Sequence, residues 1–396
     1  MGELVDARMA AERLGVDVRT LYAYVSRGSL RRVPGPDGRS SRYDSDDLEL
    51  LAQRSRPRTL PRPTASIDLV IATRVSTVTD GVVRYRGKDV LDLVAAGASF
   101  EVVADLLWRD AAGDWPHPAA AGDAVTGFLG ALGTSVPVLQ RFAIAIAIAA
   151  LPASTLPSST LPAPQWAIDG RWLIACLTEA AGKPRPASSA RDLPRGVASR
   201  LWERWSPLRP TPARVRALNT ALVLLAEHEL ALSTLSVRVA ASARAAPGAC
   251  VLAGLSTLSG ALHGGVGRVI HEMLAARAGG GGPELPLEGV ALGHLVHRHG
   301  DPRTGPLLDA IDGFATPADR DLIAGTRRAA QGQPNVDFAL GALTYAARMP
   351  PEAATAIFAI ARTAGWIAHA AEEYGEPALR FRGHAFRKAR TRPGPA

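Results

Sequence analysis

Residues 353–374 read AATAIFAIARTAGWIAHAAEEY, and this stretch decides the fold class of the chain. Its apolar and small residues recur at helical spacing, which predicts a long helix. The same Ala- and Leu-rich periodicity covers residues 213–243 and most of the chain beyond residue 67. Because 47% of the residues are hydrophobic and only 5% are aromatic, Ala, Leu and Val must build the core. We therefore predict a mainly α-helical protein.

Length, charge and cysteine content exclude several classes of protein. The chain has 396 residues, which suits two or three domains, and it is too apolar for a disordered polymer. Its 45 basic and 37 acidic residues give a net charge of +8, but an arginine-rich composition alone is weak evidence for nucleic-acid binding. Two cysteines, Cys176 and Cys250, cannot form a disulfide framework, and we expect Cys176 to be a buried thiol.

The chain has no candidate membrane or signal segment. Its N-terminus, MGELVDARMAAERLG, lacks the apolar core of a signal peptide. The longest apolar run, residues 142–151, is about half the ~20 residues that a helix needs to span a bilayer. We therefore expect a soluble, cytoplasmic protein.

The first 55 residues predict a domain of their own, residues 1–55. Helical patterns cover residues 7–14 and 18–26, with Asp17 placed to cap the second helix. A Pro-Asp-Gly turn then separates two short extended arms, as in a wing, and a closing helix is expected at residues 46–53. The stretch AAERLGVDVRTLYAYVSRGSL resembles the MerR and excisionase-like helix-turn-helix family. The resemblance implies a small winged helix-turn-helix domain.

Arginines are concentrated in this predicted domain. Between residues 18 and 42, six arginines stand against one acidic residue, Asp37. The pattern fits either a solvated basic face or a second helix in the DNA major groove with wing arginines on phosphates. The second interpretation makes DNA a partner of residues 1–55. The residues assigned to DNA contacts are Arg19, Arg31, Arg32 and Arg39.

The rest of the chain predicts a linker and one larger domain. Residues 56–65 are rich in proline and arginine, which favours a semi-rigid linker. Residues 66–396 then form the larger predicted domain. It opens with VIATRVSTVTDGVVRYRG, whose alternation and Asp80-Gly81 turn predict a small β-hairpin. Pro- and Ser-rich residues 152–164 predict a long loop inside this domain.

Four segments of the larger domain place ionisable groups beside glycines or at loop–helix junctions. They are AEHELALST around His228, SGALHGGVGRV around His263, LGHLVHRHGDPR around His294 and Arg303, and PNVDFALG around Asp337. Glycine lets backbone approach a ligand closely, and irregular backbone exposes N–H donors to an oxyanion. The chain has no closed zinc site, P-loop or dinucleotide-binding glycine motif, so we predict neither a metal nor a cofactor.

The order of these four segments resembles the citrate synthase family. Other matching stretches are Asp80-Gly81, Tyr85-Arg86-Gly87, SFEVVADLLWRD and IFAIARTAGWIAHAAE, so the resemblance runs from about residue 66 to residue 390. It implies an almost all-helical fold with a large domain and an inserted small domain, working as a homodimer. It also implies an acyltransferase of the tricarboxylic acid cycle type. Such an enzyme condenses acetyl-CoA, or alternatively propionyl-CoA, with oxaloacetate to give citrate or a methylcitrate-type product and CoA.

The resemblance assigns a role to each matching residue. Asp337 is expected to be the base that removes the thioester α-proton, with His263 as the donor at the thioester oxygen and His294 polarising the keto oxygen. Arg298 stands where a basic residue meets the phosphate of CoA. The residues expected to bind oxaloacetate are His228, Arg303, Arg362 and Arg380. In the family, the last of these comes from the other subunit.

Several positions depart from the family pattern and leave an alternative open. Ala231 and Gly267 replace asparagines, Leu295 replaces an arginine, His297 replaces a tyrosine and Phe381 replaces a proline. Leu295 and His297 are expected to alter the acyl-CoA side. The pattern leaves acetyl-CoA and propionyl-CoA open because it does not locate the acyl pocket. These departures and residues 1–55 motivate an alternative, a transcription regulator whose larger domain senses a metabolite. The complete set of catalytic residues favours the enzyme.

Overall fold

The computed structural model of the chain describes residues 4–14, 16–26, 30–35, 40–45, 47–48, 69–110, 113–116, 118–129, 136–149, 163–182, 196–260, 263–281, 292–293, 297, 300–329 and 333–382. The chain divides into two compact units, Met1–Ala72 and Thr73–Ala396. Several predicted features lie outside the described residues: the linker 56–65, most of the helix 46–53, most of the loop 152–164, Arg39, His294 and Arg298.

The first unit combines two short helices with a three-stranded antiparallel sheet. Its elements are β1 (Leu4–Asp6), α1 (Ala7–Leu14), α2 (Val18–Ser26), β2 (Val33–Pro34) and β3 (Ser41–Asp44), with sheet order β1-β3-β2. Both helices have the predicted bounds, and the Asp17 carboxylate caps α2 by accepting the N–H of Thr20 at 2.6 Å. Leu21 and Tyr43 are fully buried in the small core. The sequence pattern does not predict β1, and the winged helix-turn-helix assignment stays a prediction.

The second unit opens with the predicted hairpin. Strands β4 (Ser76–Thr79) and β5 (Val82–Tyr85) are antiparallel, and a short third strand, β6 (Lys88–Asp89), pairs with β5. Asp80 and Gly81 connect β4 to β5 with φ of 52° and 81°, as a type I′ turn requires. Ser76 lies directly opposite Tyr85, so their side chains share one face of the hairpin. The hairpin prediction is confirmed.

Helices make up most of the second unit, which confirms the mainly helical prediction. They are α3 (Val90–Ala95), α4 (Phe100–Trp108), α5 (Pro118–Leu129), α6 (Val138–Ala149), α7 (Ala163–Ala180), α8 (Val197–Trp205), α9 (Pro212–Leu225), α10 (Leu232–Ser242), α11 (Pro247–Leu258), α12 (Val266–Ala278), α13 (Thr304–Asp312), α14 (Pro317–Ala329), α15 (Val336–Ala346) and α16 (Ala353–Tyr374). Cys176 and Cys250 are both buried free thiols. Within the described ranges, none of the helices is long and apolar enough to cross a membrane.

The helix α16 is the centre of the second unit. It is buried on all sides and contacts α4, α7, α9, α10, α11 and α12, which explains why its sequence is rich in small residues. A Cβ on Gly254 of α11 would lie only 2.8 Å from the Trp366 ring. The two helices therefore pack so closely that only glycine fits at position 254. The Trp108 indole donates to the carbonyl of Ala364 at 2.9 Å. Polar side chains on α16 must therefore find their partners inside the protein.

Candidate active site

Four predicted site residues lie at or near the N-terminal ends of helices. His228 and His263 stand shortly before α10 and α12, Arg303 directly precedes α13, and Asp337 is in the first turn of α15. The first turn of a helix exposes unpaired N–H groups and the positive end of the helix dipole. This part of the unit is therefore suited to anionic ligands.

Asp337 is held by the cap of its helix. The Asn335 side-chain oxygen accepts the N–H groups of Asp337 and Phe338 at 3.1 and 3.3 Å, which fixes the first turn of α15. Burial raises the pKa of Asp337 to about 6, although Arg303 and Arg362 act in the opposite direction. The group is therefore a carboxylate at neutral pH, but a more basic one than an exposed aspartate.

Arg303 is fully buried and forms a two-point ion pair with Asp301. Its Nε and Nη2 donate to the two oxygens of Asp301 at 2.9 and 2.8 Å. Burial opposes ionisation of Asp301, but the paired guanidinium lowers its pKa to about 2. The same carboxylate accepts the N–H of Val336 at 3.1 Å. Asp301 therefore ties Arg303 to the start of the helix that carries Asp337, a role that the sequence interpretation missed.

Arg362 places a second buried cation in this region. Its Nε donates to the carbonyl of Leu225 at 2.9 Å, and its guanidinium carbon lies 4.9 Å from the centre of the Phe358 ring. Among the residues that the structure describes, Arg362 has no carboxylate partner in a salt bridge. Burial lowers its pKa, while the more distant Glu227 acts in the opposite direction. The Arg362 guanidinium is therefore available to pair directly with a bound anion.

His263 is close to Ser233 and responds to the charge of Arg362. Its Nε2 lies 2.9 Å from the Ser233 hydroxyl oxygen. Burial lowers the pKa of His263, and Arg362 lowers it further. The imidazole is therefore neutral at pH 7 and can act as a hydrogen-bond donor without carrying charge. The sequence interpretation missed Ser233, because only the fold brings it to a histidine far away in the chain.

His228 and His297 form a buried pair. Their Nε2 atoms are 2.9 Å apart, so one ring must donate a hydrogen bond and the other accept it. Burial lowers the pKa of His297, Asp301 raises it and Arg303 lowers it. The sequence pattern assigned His297 to the acyl-CoA side, whereas the structure places it against the predicted oxaloacetate residue His228. In the described part of the chain, no group of three or more His, Cys, Asp or Glu side chains could hold a metal ion.

These contacts bring most of the predicted residues together. Asp337 interacts electrostatically with Arg303 and Arg362, and Arg362 in turn with His263. The pair of His228 and His297 joins the group because His297 responds to Arg303. The site residues of this group are His228, His263, His297, Asp301, Arg303, Asp337 and Arg362.

The segment before His294 lies beside the start of α15. The N–H of Gly293 donates to the carbonyl of Gln333 at 2.7 Å, and its carbonyl accepts the side-chain amide of Asn335 at 3.1 Å. His294 and Arg298 themselves lie outside the described residues. Their assigned roles stay predictions.

Arg380 has a different environment. Its Nε and Nη2 each donate to Glu373 at 2.6 Å, and the same carboxylate accepts a bond from Arg238 at 2.8 Å. The charges that act on Arg380 are glutamates of the C-terminal region, Glu373 foremost. Within its own chain the structure does not bring Arg380 to the other site residues. The prediction that it serves the other subunit stays a prediction.

Two departures from the family pattern have local structural consequences. Ala231 is the N-cap residue of α10 and supplies no side-chain hydrogen bond to it, as an asparagine there could. At Gly267, a Cβ would lie 3.1 Å from the Ala354 side chain, which leaves little room for an asparagine. A Cβ on Gly341 of α15 would lie only 2.6 Å from the Gly267 carbonyl oxygen. The glycine at 267 therefore accompanies close packing of α12 on α15.

A family model decides the relationship. The model described as "Citrate synthase, C-terminal domain" matches residues 68–382, most of the chain. The chain belongs to the citrate synthase family. Citrate synthases from Mycolicibacterium smegmatis and Corynebacterium glutamicum are 32% and 33% identical to it over 187 and 194 residues. These matches cover 43% of this chain in both cases, and 50% and 44% of the relatives. The chain therefore spans about half the length of the curated relatives it matches.

Solved structures show the same fold. The citrate synthase of Thermoplasma acidophilum, solved as a ternary complex with carboxymethyl coenzyme A and oxaloacetate, superposes with a TM-score of 0.61 at 21% identity. The match covers 83% of this chain and 96% of that structure. The citrate synthase of Pyrobaculum aerophilum gives 0.62 at 20% identity, covering 83% and 92%. At this identity the likeness establishes the citrate synthase fold of the second unit.

Proposed function

We propose that the chain condenses an acyl-CoA with oxaloacetate, releasing CoA and citrate or a methylcitrate-type product. The observation that supports this most directly is the grouping of Asp337, with its raised pKa, beside two buried arginines and a neutral histidine. A thioester α-proton is very weakly acidic, so its removal needs both a positioned base and stabilisation of the resulting enol. The membership in the citrate synthase family supports the same reaction.

The first step is proton removal from the acyl group. Asp337 accepts the α-proton, and its desolvated carboxylate is a better base than an exposed one. His263 donates a hydrogen bond to the thioester oxygen as the enol forms. If the Ser233 hydroxyl donates to Nε2, the proton of the neutral imidazole is on Nδ1, which becomes the donor to substrate.

The second step is attack of the enol carbon on the keto carbon of oxaloacetate. Arg303 and Arg362 hold the oxaloacetate carboxylates, and the absence of a carboxylate partner for Arg362 among the described residues favours it as the primary clamp. His228 contacts the 2-oxo acid, and His294 polarises its keto oxygen. Water then hydrolyses the thioester of the condensed intermediate inside the closed site. Acyl-CoA is a substrate here, and the reaction needs no cofactor.

CoA release tests the proposal directly. Full-length protein is mixed with oxaloacetate and either acetyl-CoA or propionyl-CoA, and free thiol is measured with time. We expect release that depends on oxaloacetate, and the ratio of kcat/KM for the two acyl-CoA substrates identifies the preferred one. Asp337→Asn serves as the matched negative control because it preserves shape. If neither acyl-CoA substrate gave oxaloacetate-dependent release of CoA, the proposed enzymatic function would be rejected.

A homodimer forms part of the proposal, with Arg380 completing the site of the other subunit. Mixing Asp337→Asn and Arg380→Ala proteins tests it by complementation, since some mixed dimers would contain one intact site. We expect more CoA release from the mixture, after subunit exchange, than from either variant alone. A mixture no more active than the sum of its components would place Arg380 outside the partner's site.

Residues 1–55 support a second proposed activity, DNA binding. Arg19, at the start of α2, and Arg31 and Arg32, before β2, are all exposed. Retention of a duplex by the full-length protein should fall steeply with salt, and Arg31→Ala with Arg32→Ala should weaken it while CoA release is unchanged. The matched control replaces the exposed arginine pair Arg327 and Arg328 of α14. Equal retention by both double variants would reject this assignment.

A further inference from the structure

Strand β4 contacts the residues on both sides of His228, through the Glu227 side chain and the Glu229 backbone. The Ser76 hydroxyl donates to the Glu227 carboxylate at 3.0 Å and accepts the backbone N–H of Glu229 at 3.2 Å. The N–H of Val78 then donates to the Glu229 carboxylate at 2.9 Å. Glu229 has φ of 52°, in the left-handed region that non-glycine residues enter at a cost. The contacts from β4 therefore hold a backbone conformation that the segment would not keep unaided.

Strand β5 contacts the same segment, residues 227–229, through Tyr85, the cross-strand partner of Ser76. The Tyr85 hydroxyl accepts the N–H of Glu227 at 3.2 Å and lies 2.9 Å from the Glu227 carbonyl, to which it can donate. Tyr85 is completely buried, and because it pairs directly with Ser76 the two hydroxyls reach the segment from one face of the hairpin. The last turn before His228 is thus fixed by side chains that are distant from it in the sequence.

Helix α16 also contacts Glu227 of this segment and the preceding residue, Ala226. The N–H of Gly365 donates to the carbonyl of Ala226 at 3.1 Å, and His369 Nε2 lies 3.0 Å from the same Glu227 oxygen that Ser76 contacts. A Cβ at position 365 would lie 2.0 Å from the second Glu227 oxygen. Glu227 is therefore confined between the hairpin and α16, and His228 follows it directly in the chain.

We infer that Ser76 is a positioning residue for His228, and that the β4–β5 hairpin is thereby part of the 2-oxo acid half of the site. The inference rests on the proposed function, in which His228 contacts oxaloacetate. Ser76 forms no hydrogen bond with His228 itself; it acts through the Glu227 carboxylate and the Glu229 backbone N–H. A scaffolding role alone would affect stability, whereas a positioning role affects recognition of one substrate and leaves the other unchanged.

The test compares two buried serines with the same hydrogen-bonding pattern. Ser206 also donates to one oxygen, the carbonyl of Ala347 at 2.6 Å, and accepts one backbone N–H, that of Leu208 at 3.1 Å, but it lies outside the site. Full-length Ser76→Ala and Ser206→Ala proteins are assayed for the KM of each substrate, for kcat and for the thermal midpoint. For Ser76→Ala we expect the KM for oxaloacetate to rise about tenfold, with little change for acyl-CoA.

The control and a conservative variant decide the interpretation. Ser206→Ala should lower the thermal midpoint without altering either KM, and Ser76→Thr, which keeps the hydroxyl, should restore most of the oxaloacetate KM. Calorimetric titration of oxaloacetate into the same proteins should show the matching loss of affinity. Equal changes in both KM values, or equal effects of the two alanine variants, would overturn the inference. Failure of the parent protein to release CoA would instead reject the proposed function on which the inference rests.

Discussion

Replacing Asp337 by Asn should stabilise the protein at pH 7 while it removes most of the catalysis. Burial raises the pKa of Asp337 from 3.8 to about 6, so the ionised carboxylate is less favourable in the folded chain than in the unfolded chain. A pKa difference of about two corresponds to ~3 kcal/mol, at roughly 1.4 kcal/mol for each pH unit. Asn has nearly the same shape and no charge, so the substitution removes this cost.

The stability difference between the Asn variant and the parent protein should depend on pH in a defined direction. Well below pH 3.8 the Asp337 carboxyl is protonated in both the folded and the unfolded chain, so the charge contributes nothing to the difference. As the pH rises, the unfolded chain ionises first, and the parent protein loses stability until the pH passes the folded pKa of about 6. The gap in the free energy of unfolding between variant and parent should therefore open over this range and stay constant above it.

Urea unfolding followed by circular dichroism, at pH values from about 4 to 8, measures the gap. CoA release in the same buffers measures the catalysis, and we expect kcat of the Asn variant to fall by at least ~100-fold. The parent's activity should decline as the pH falls through about 6, because the base becomes protonated. The claim that Asp337 is a desolvated carboxylate would be refuted if the variant were less stable than the parent at pH 7. It would also be refuted if the difference in unfolding free energy did not change with pH. Undiminished turnover by the Asn variant would refute the proposal that Asp337 is the catalytic base.

Three further substitutions test the clamp, the histidine contact and the packing of α16. Arg362→Lys keeps the charge but loses the planar guanidinium, so oxaloacetate affinity should fall about 10- to 100-fold in calorimetry while acyl-CoA affinity is retained; equal losses would indicate unfolding. Ser233→Ala removes the hydroxyl 2.9 Å from Nε2 of His263, the proposed donor to the thioester, and kcat should fall about five- to tenfold. Gly365→Ala places a Cβ 2.0 Å from a Glu227 oxygen and should cost about 1–3 kcal/mol in urea unfolding. Gly127→Ala, where a Cβ meets no atom within 4 Å, is its control and should not destabilise.

The sequence predicts those parts of the fold that depend on local signals. The bounds of α2 follow from a capping aspartate at Asp17, and the β4–β5 hairpin follows from strand alternation around Asp80 and Gly81. The helix α16 follows from an uninterrupted run of small and apolar residues. Each of these signals lies within a few residues of the element that it specifies, so no tertiary information is needed.

The predicted site depends on resemblance more than on local signals, and its tertiary partners show why. The Arg303 side chain pairs with Asp301, a neighbour in sequence, but the further bond of Asp301 to Val336 depends on how two helices meet. Ser233 reaches His263 across thirty positions of sequence. No periodicity or motif specifies such contacts, because they arise only after helices pack.

The helix α16 couples the packing of the unit to the electrostatics of its site. Small residues let it lie buried against its neighbours, and Gly365 brings it close enough to bond the carbonyl of Ala226. That close approach places Arg362 where its charge acts on Asp337 and His263. The guanidinium is already buried and held at Nε. In the proposed reaction, dianionic oxaloacetate would therefore bind a cation whose desolvation cost has been met during folding. Substitutions that loosen α16 should therefore weaken oxaloacetate binding even when they touch no substrate atom.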